Sequence, residues 1–310
     1  MAEITASMVK ELREMTMAGM MDCKKALAET NGDMDKAVEY LREKGLAKAA
    51  KKAGRIAAEG VCDTTVNGKV AAIVEVNSET DFVAKNEKFR DYVKAVVDQV
   101  VTSEAADIDA FLAEKWAKDN SKTVAEELAA QIAVIGENMK IRRFAKLVAT
   151  NGFVETYIHG GGRIGILIEM EGDDTEAARA CAKNVAMQIA AMNPKYLNKE
   201  QIPGDYVEHE KEILKAQIMN DPKESQKPEK VIEGMIMGRI NKELKEICLV
   251  DQVYVKAEDG KQNVAQYVAQ VAKENGINLA IKNYVRFETG EGIEKKQEDF
   301  AAEVAKQMGM

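Results

Sequence analysis

The sequence has only two histidines, His159 and His209, and four cysteines, Cys23, Cys62, Cys181 and Cys248. It contains no C-x-x-C, and neither histidine stands at metal-ligand spacing from another histidine or a cysteine, so no zinc or redox motif is indicated. Isolated cysteines in a chain without an export signal suit reduced cytoplasmic thiols. The opening stretch MAEITASMVK has no apolar signal core and no Arg/Ser-rich transit character. No apolar run approaches the ~20 residues that span a bilayer. These absences predict a cytoplasmic chain with no membrane contact and no cofactor.

A G-x-x-x-x-G-K-[ST] loop is also missing, which argues against a phosphate-loop GTPase or ATPase. Gly160-Gly161-Gly162-Arg163-Ile164-Gly165 matches G-x-G-x-x-G in form. The dinucleotide fingerprint, however, needs a helix after it, because the helix N-terminus holds the pyrophosphate. Ile164 to Glu169 is apolar and β-rich, so the glycines predict a turn between antiparallel strands. His159-Gly160-Gly161-Gly162 is similar to an esterase oxyanion loop, but no G-x-S-x-G nucleophile accompanies it. His209 lies in a charged helical stretch and reads as solvated. Nothing in the sequence supports an enzyme.

An excess of positive charge is absent too. Lys and Arg total 44 against 52 Asp and Glu, a formal net charge of −8, which argues against nucleic acid as the main partner. Locally, Lys44, Lys48, Lys51, Lys52 and Arg55 form a basic run with no acid between them. The run reads as a solvated helix face or linker, or as a patch for RNA or an acidic protein surface.

With 310 residues, two or three domains are expected. The first 46 residues predict three short helices, capped by Thr5, Asp22 and Asp33, with Gly45 stopping the third. Helices this short stand only by packing on one another. Ala47 to Glu59 reads as a connecting helix. From Val61 the period becomes two, and Asn67-Gly68 suits a type I′ hairpin turn. Asn86 can cap a helix bearing Phe89, Tyr92, Val93, Val96, Val97 and Val100. More helix is expected up to Gly136, then a strand from Ile141 to Thr150.

After Asn151-Gly152, strands at Phe153 to His159 and Ile164 to Glu171 and a helix from Asp174 repeat the order hairpin, helix. Two related α+β subdomains follow from that repetition, near 61–150 and 151–290. Tyr206 to Asn220 and Pro228 to Leu249 predict a helical hairpin arm or lid. A short strand near Val253 to Lys256, a helix Val264 to Asn275, a strand Leu279 to Glu288 and a terminal helix Glu298 to Met308 complete the reading. The expected division is 1–55, 56–150, 151–290 (with the arm at about 205–249) and 291–310.

One segment breaks the polar habit of strand-to-helix loops: Ser78-Glu79-Thr80-Asp81-Phe82-Val83-Ala84-Lys85. By local pattern Phe82 suits a staple packed under the next helix. The alternative is an exposed wedge for a partner, flanked by the Asp81 carboxylate.

The run Asn77 to Asn86, with Thr80-Asp81-Phe82-Val83 at its centre, resembles the T-D-F-V signature of the elongation factor Ts family. Val9 to Arg13 with Gly19 to Leu27, Ile135-Gly136-Glu137-Asn138 with Ile141-Arg142-Arg143, Tyr157-Ile158-His159 with Arg163-Ile164-Gly165, and Arg286 to Ala305 carry the likeness along the whole chain. The resemblance implies a three-helix (UBA-like) module, a core of two related α+β subdomains with antiparallel sheets, a helical-hairpin arm and a C-terminal helix. It implies a guanine nucleotide exchange factor acting on elongation factor Tu, rather than an enzyme. By resemblance Thr80, Asp81, Phe82 and Val83 disturb the partner's Mg²⁺ site. Arg13, Met20, Met21 and Lys24 contact its nucleotide domain, and Ile135, His159 and Val255 supply further contacts. A dimer through the core or the arm stays open. So does a scaffold that binds a GTPase or ribosomal component without driving exchange. Departures from the family pattern are Met17, the run Gln252-Val253-Tyr254-Val255-Lys256, and Ile236-Met237-Gly238-Arg239.

Overall fold

The computed structural model describes residues 4–16 and 18–294, so Met17 and the expected helix from Glu298 to Met308 lie outside the described residues. Three helices come first, α1 (Ala6–Thr16), α2 (Met20–Glu29) and α3 (Met34–Lys52). Their apolar faces meet in a small core of Val9, Leu12, Cys23, Ala26, Leu27 and Ala37. Thr5 and Asp33 cap α1 and α3 as expected, through Met8 N–H and Lys36 N–H. Asp22 does not cap α2. That place falls to Gly19, while Asp22 sits inside the first turn and pairs with Lys48.

Nor does Gly45 end its helix: α3 runs through it to Lys52, and no separate connecting helix follows. Gly45 is buried because α3 crosses α7 (Val124–Ile135, introduced in order below), where an added Cβ would meet Ala129 O at 3.9 Å and Ala133 Cβ at 4.0 Å. Those are ordinary contact distances. Gly45→Ala is therefore expected to stabilise the protein by roughly 0.5–1 kcal/mol through helix propensity alone. A urea titration reads this as a raised midpoint with unchanged slope.

The core follows as β1 (Glu59–Asn67), β2 (Val70–Ser78), α4 (Asp81–Ala84), α5 (Glu87–Val100), α6 (Ile108–Ala113), β3 (Lys115–Trp116), β4 (Asp119–Thr123), α7 and β5 (Met139–Val148). Then come β6 (Gly152–His159), β7 (Ile164–Gly172), α8 (Glu176–Met192), the arm helices α9 (Gly204–Asn220) and α10 (Glu229–Ile247), α11 (Val264–Asn275) and β8 (Leu279–Glu288). Several expectations need correction here. The β1–β2 turn is Gly68-Lys69, with a positive φ at Gly68 alone, as in a type II′ turn and not the expected I′. The helix expected from Asp174 starts at Glu176, capped by Thr175, while Asp174 pairs with Arg179. The stretch Val253 to Lys256 makes only one isolated bridge, Val253 to Asn263. The ribbon β3–β4 stands where helix was expected.

Each half of the core is a three-stranded antiparallel sheet, β1-β2-β5 and β6-β7-β8. The halves are built alike. The register shifts between Glu75 and Val76 in the first and between Glu169 and Met170 in the second, at the same place in each central strand. Gly60 and Gly152 also correspond: a Cβ would lie 2.1 Å from Val76 O in one and 2.0 Å from Met170 O in the other. Alternation sends residues such as Ala72, Val74 and Val76 outward onto α5 and α7. Ala71 and Ile73 face inward onto Val154 and Leu167 of the other sheet. On the far side Ile166, Ile168 and Met170 pack on α8 and α11. The result is helix, sheet, sheet, helix in layers. The arm helices close their own small core of Ile218, Ile232, Ile236 and Ile240. No described helix is long and apolar enough to cross a membrane.

Candidate functional site

The apolar intrusion Thr80–Val83 is itself a single helical turn, α4, rather than the irregular loop expected. Thr80 ends the extended run from β2 and caps the turn, its Oγ1 accepting from Val83 N–H at 3.4 Å. One turn of helix points its residues to different sides. Val83 and Ala84 face the core, whereas Phe82 is 82% exposed. The staple predicted by local pattern is thus made by Val83 and Ala84, and Phe82 stands free in solvent. Beside it Asp81 accepts from Lys85 Nζ at 2.6 Å, a contact that holds its carboxyl below the usual carboxylate range.

A second segment anchors this turn. Helix α7 ends at Gly136, which takes the left-handed conformation (φ 89°) and lets the chain leave the helix sharply. The next residue, Glu137, then reaches the strand-to-turn junction. Its Oε2 accepts from Glu79 N–H at 3.1 Å and Thr80 N–H at 3.0 Å, and its Oε1 accepts from the Thr80 hydroxyl at 2.6 Å. In return the Glu79 carboxylate accepts from Asn138 N–H. Asn138 Nδ2 donates to Arg55 O at 2.7 Å, Arg55 pairs with Glu79 at 3.5 Å, and Lys52 donates to Gly136 O. The end of α3 therefore grips the same anchor.

Of the basic run, Lys48, Lys52 and Arg55 are engaged with partners inside the chain, and Lys44 lies over the Tyr40 ring.

Ile135 is half-buried against the core, two residues before Glu137, and so belongs to the anchor. His159 is exposed at the β6–β7 turn, where the Tyr157 hydroxyl meets its Nδ1 at 3.0 Å. The glycines after it turn between antiparallel strands, as expected. Gly161 O accepts from Arg90 Nη2 at 2.8 Å, tying His159's turn to α5, the helix that directly follows α4. The turn α4 is thus bonded to Glu137, two residues after Ile135, and α5 to Gly161, two residues after His159. Arg13, Met20, Met21 and Lys24 are all exposed on α1 and α2, Met21 at 74%. Val255 is exposed beside α8, its N–H donating to Gln188 Oε1 at 2.8 Å. Lys256 folds back onto Asn184 Oδ1 at 2.8 Å, so it adds no apolar contact beside Val255.

Sequence reasoning assigned no role to Glu79, Glu137 or Asn138, and placed Arg55 only in the basic run. Gly136 after an apolar helical run does announce a helix end. The pairing of Glu137 with a residue 57 positions earlier has no local signature.

A helical module set on a paired-sheet core, with one anchored apolar turn held out to solvent, has the makings of a protein-binding factor. The family profile "Elongation factor TS" matches residues 79–291, more than half of the chain. The chain is 51% identical over 308 residues to elongation factor Ts of Clostridium kluyveri, covering 98% of this chain and 99% of the relative. It is 52% identical over 311 residues to that of Clostridioides difficile strain 630, covering 99% and 100%. Against that of Clostridium perfringens strain 13 it is 52% identical over 309 residues, with 99% of each covered. The chain belongs to the elongation factor Ts family. Membership carries a nucleotide-exchange role in translation elongation and implies elongation factor Tu as partner.

Proposed function

We propose that this chain binds elongation factor Tu carrying GDP, disturbs its Mg²⁺ and phosphate site with Asp81 and Phe82, and so releases the nucleotide. The observation that carries the reading is the 82% exposure of Phe82 on a turn fixed from below. Covering that free phenyl ring with a partner's surface takes apolar area out of water and so supplies binding energy. Thr80 and Val83 frame the ring, one as cap and one as buried foot.

Exchange needs more than the wedge. A GTPase holds its nucleotide through a phosphate loop and Mg²⁺. By linkage, whatever weakens GDP weakens the factor equally in the ternary complex. Weakening by ~10⁴-fold takes about 5.5 kcal/mol of differential binding. Burying one Phe supplies roughly 1.5–3 kcal/mol. The balance falls to Arg13, Met20, Met21 and Lys24 on the N-terminal helices and to Ile135, His159 and Val255 on the core. Exposed methionines suit an adaptable interface. We assign the holding surfaces to 1–55, 56–150 and 151–290, with 291–310 as a further contact.

Stopped-flow release of a fluorescent GDP from elongation factor Tu, with and without this protein, tests the reading. Acceleration that saturates with factor concentration is expected. Binding without acceleration would leave the scaffold reading standing instead.

A further inference from the structure

The proposed wedge works only if Phe82 arrives at a fixed angle, and a four-residue helix cannot hold itself. Its rigidity must come from outside the turn. Three donors at its root, Glu79 N–H, Thr80 N–H and the Thr80 hydroxyl, converge on the single carboxylate of Glu137. The Glu79 carboxylate returns a bond to the backbone beside Glu137, at Asn138 N–H. Two glutamates 58 positions apart thus bind each other's segments: Glu137 takes the Glu79 N–H, and Glu79 takes the N–H of Asn138, the residue after Glu137. A carboxylate taking backbone N–H groups makes the stronger, charge-assisted kind of hydrogen bond. Both Glu79 and Glu137 are only part-exposed, and Asn138 is buried, so water competes poorly for these bonds.

We infer that Glu137 is the positioning residue of the exchange turn: it touches no reacting group but sets Phe82 at the angle from which the ring enters the partner. The inference rests on the wedge reading above. Helix α3 adds a consequence, because Arg55 and Lys52 hold the same anchor from the N-terminal side. The seat of the N-terminal helices and the set of the wedge therefore share one lock.

Glu137→Ala removes the acceptor for all three donors. Glu137→Met keeps the side chain's length but offers no oxygen to the two backbone N–H groups that share Glu137 Oε2 or to the Thr80 hydroxyl. Either frees the root of the turn while leaving the ring itself intact. Misplacement by about 1 Å can cost on the order of 10²-fold in rate. The test is a double-mutant cycle on saturating GDP release, with Phe82→Ala, each Glu137 variant, and each pair combined. Each Glu137 variant alone is expected to lower the saturating rate by about ten- to a hundredfold, with the half-saturating concentration changing much less. In the Phe82→Ala background each should lower it much less than in the wild type, because the ring is gone and only Asp81 is left on the turn to be misplaced. A general folding defect would instead add to the Phe82→Ala loss. Should Glu137→Ala melt below the assay temperature, Glu137→Met carries the cycle alone. Unchanged rates for the Glu137 variants, or additive losses, overturn this inference and leave the wedge in place. An unchanged rate for Phe82→Ala overturns the wedge itself, whatever Glu137 does.

Discussion

Phe82→Ala slows saturated GDP release from elongation factor Tu by about ten- to a hundredfold, and the Asp81→Ala, Phe82→Ala double variant slows it further. The size follows from burial: losing roughly 1.5–3 kcal/mol of apolar contact made only in the exchange-competent complex is a factor of that order. Asp81 adds a charge at the same place: an aspartate is ionised at neutral pH, and Lys85 holds this one below the usual range. Removing the Mg²⁺ takes away the largest positive charge beside the phosphates, so small displacements there have large consequences. The free protein should hardly notice either change. Phe82 is 82% exposed and the Asp81–Lys85 pair is a surface contact, and such substitutions sit within about ±0.5 kcal/mol. Loss of exchange with an unchanged melting curve is thus the expected signature. Full stimulation by the double variant at equal concentration would remove the wedge mechanism.

That signature depends on a side chain that local sequence rules place wrongly. Between a strand and a helix, an isolated phenylalanine most simply packs under the helix. The structure gives that work to Val83 and Ala84, which a period-based reading cannot rank against Phe82 in a single turn. The family likeness supplied what periodicity could not. Longer elements were legible: α11 and β8 lie where Asn263 caps, Gly276 stops and Leu279 to Glu288 stays β-like. Gly45 misled because a stop signal is local, whereas its burial against Ala129 and Ala133 is a fact of helix crossing. The ribbon β3–β4 escaped because Lys115-Trp116 and Asp119 to Thr123 are too short and too polar to alternate. The lock from Glu137 to Thr80 escaped because nothing along the chain pairs them. A functional site built from distant carboxylates and backbone amides shows its hook in the sequence and hides its mounting.

The second large effect concerns what holds the two halves of the core together. Glu75 is fully buried in β2, and its carboxylate accepts from Asn77 Nδ2 at 3.0 Å, Gly290 N–H at 2.8 Å, Arg142 Nη1 at 2.9 Å and Arg143 Nε. Burial alone would push this acid up. The Gly290 N–H, Arg142, Asn77 and Arg143 together outweigh it and hold Glu75 below the usual range. Arg143 also reaches Glu288 O at 3.2 Å and Glu291, and stacks over Phe287 at 4.2 Å. One carboxylate therefore ties the first sheet to the chain that follows β8 of the second.

Glu75→Ala takes the acceptor from the buried Gly290 N–H and from two part-exposed guanidinium groups, and is expected to cost about 3 kcal/mol, the low end for a broken buried pair because Arg142 and Arg143 keep other partners. Denaturant titration checks it; a loss under 1 kcal/mol would show that the arginines find water instead. The sign with pH follows from the lowered value. Stability from Glu75 is complete above the ordinary glutamate range near pH 4.3 and is lost as pH falls through the lower folded value. The wild-type protein should lose stability steeply in that acid range, and Glu75→Gln, with no proton to take up, should show a shallower acid limb. Because Phe82 and the proposed holding surfaces sit on both halves of this junction, the same variants should also lose exchange on warming at a lower temperature than the wild type. Phe82→Ala would lose exchange without any such dependence on temperature or acid, which separates failure of the wedge from failure of the frame that carries it.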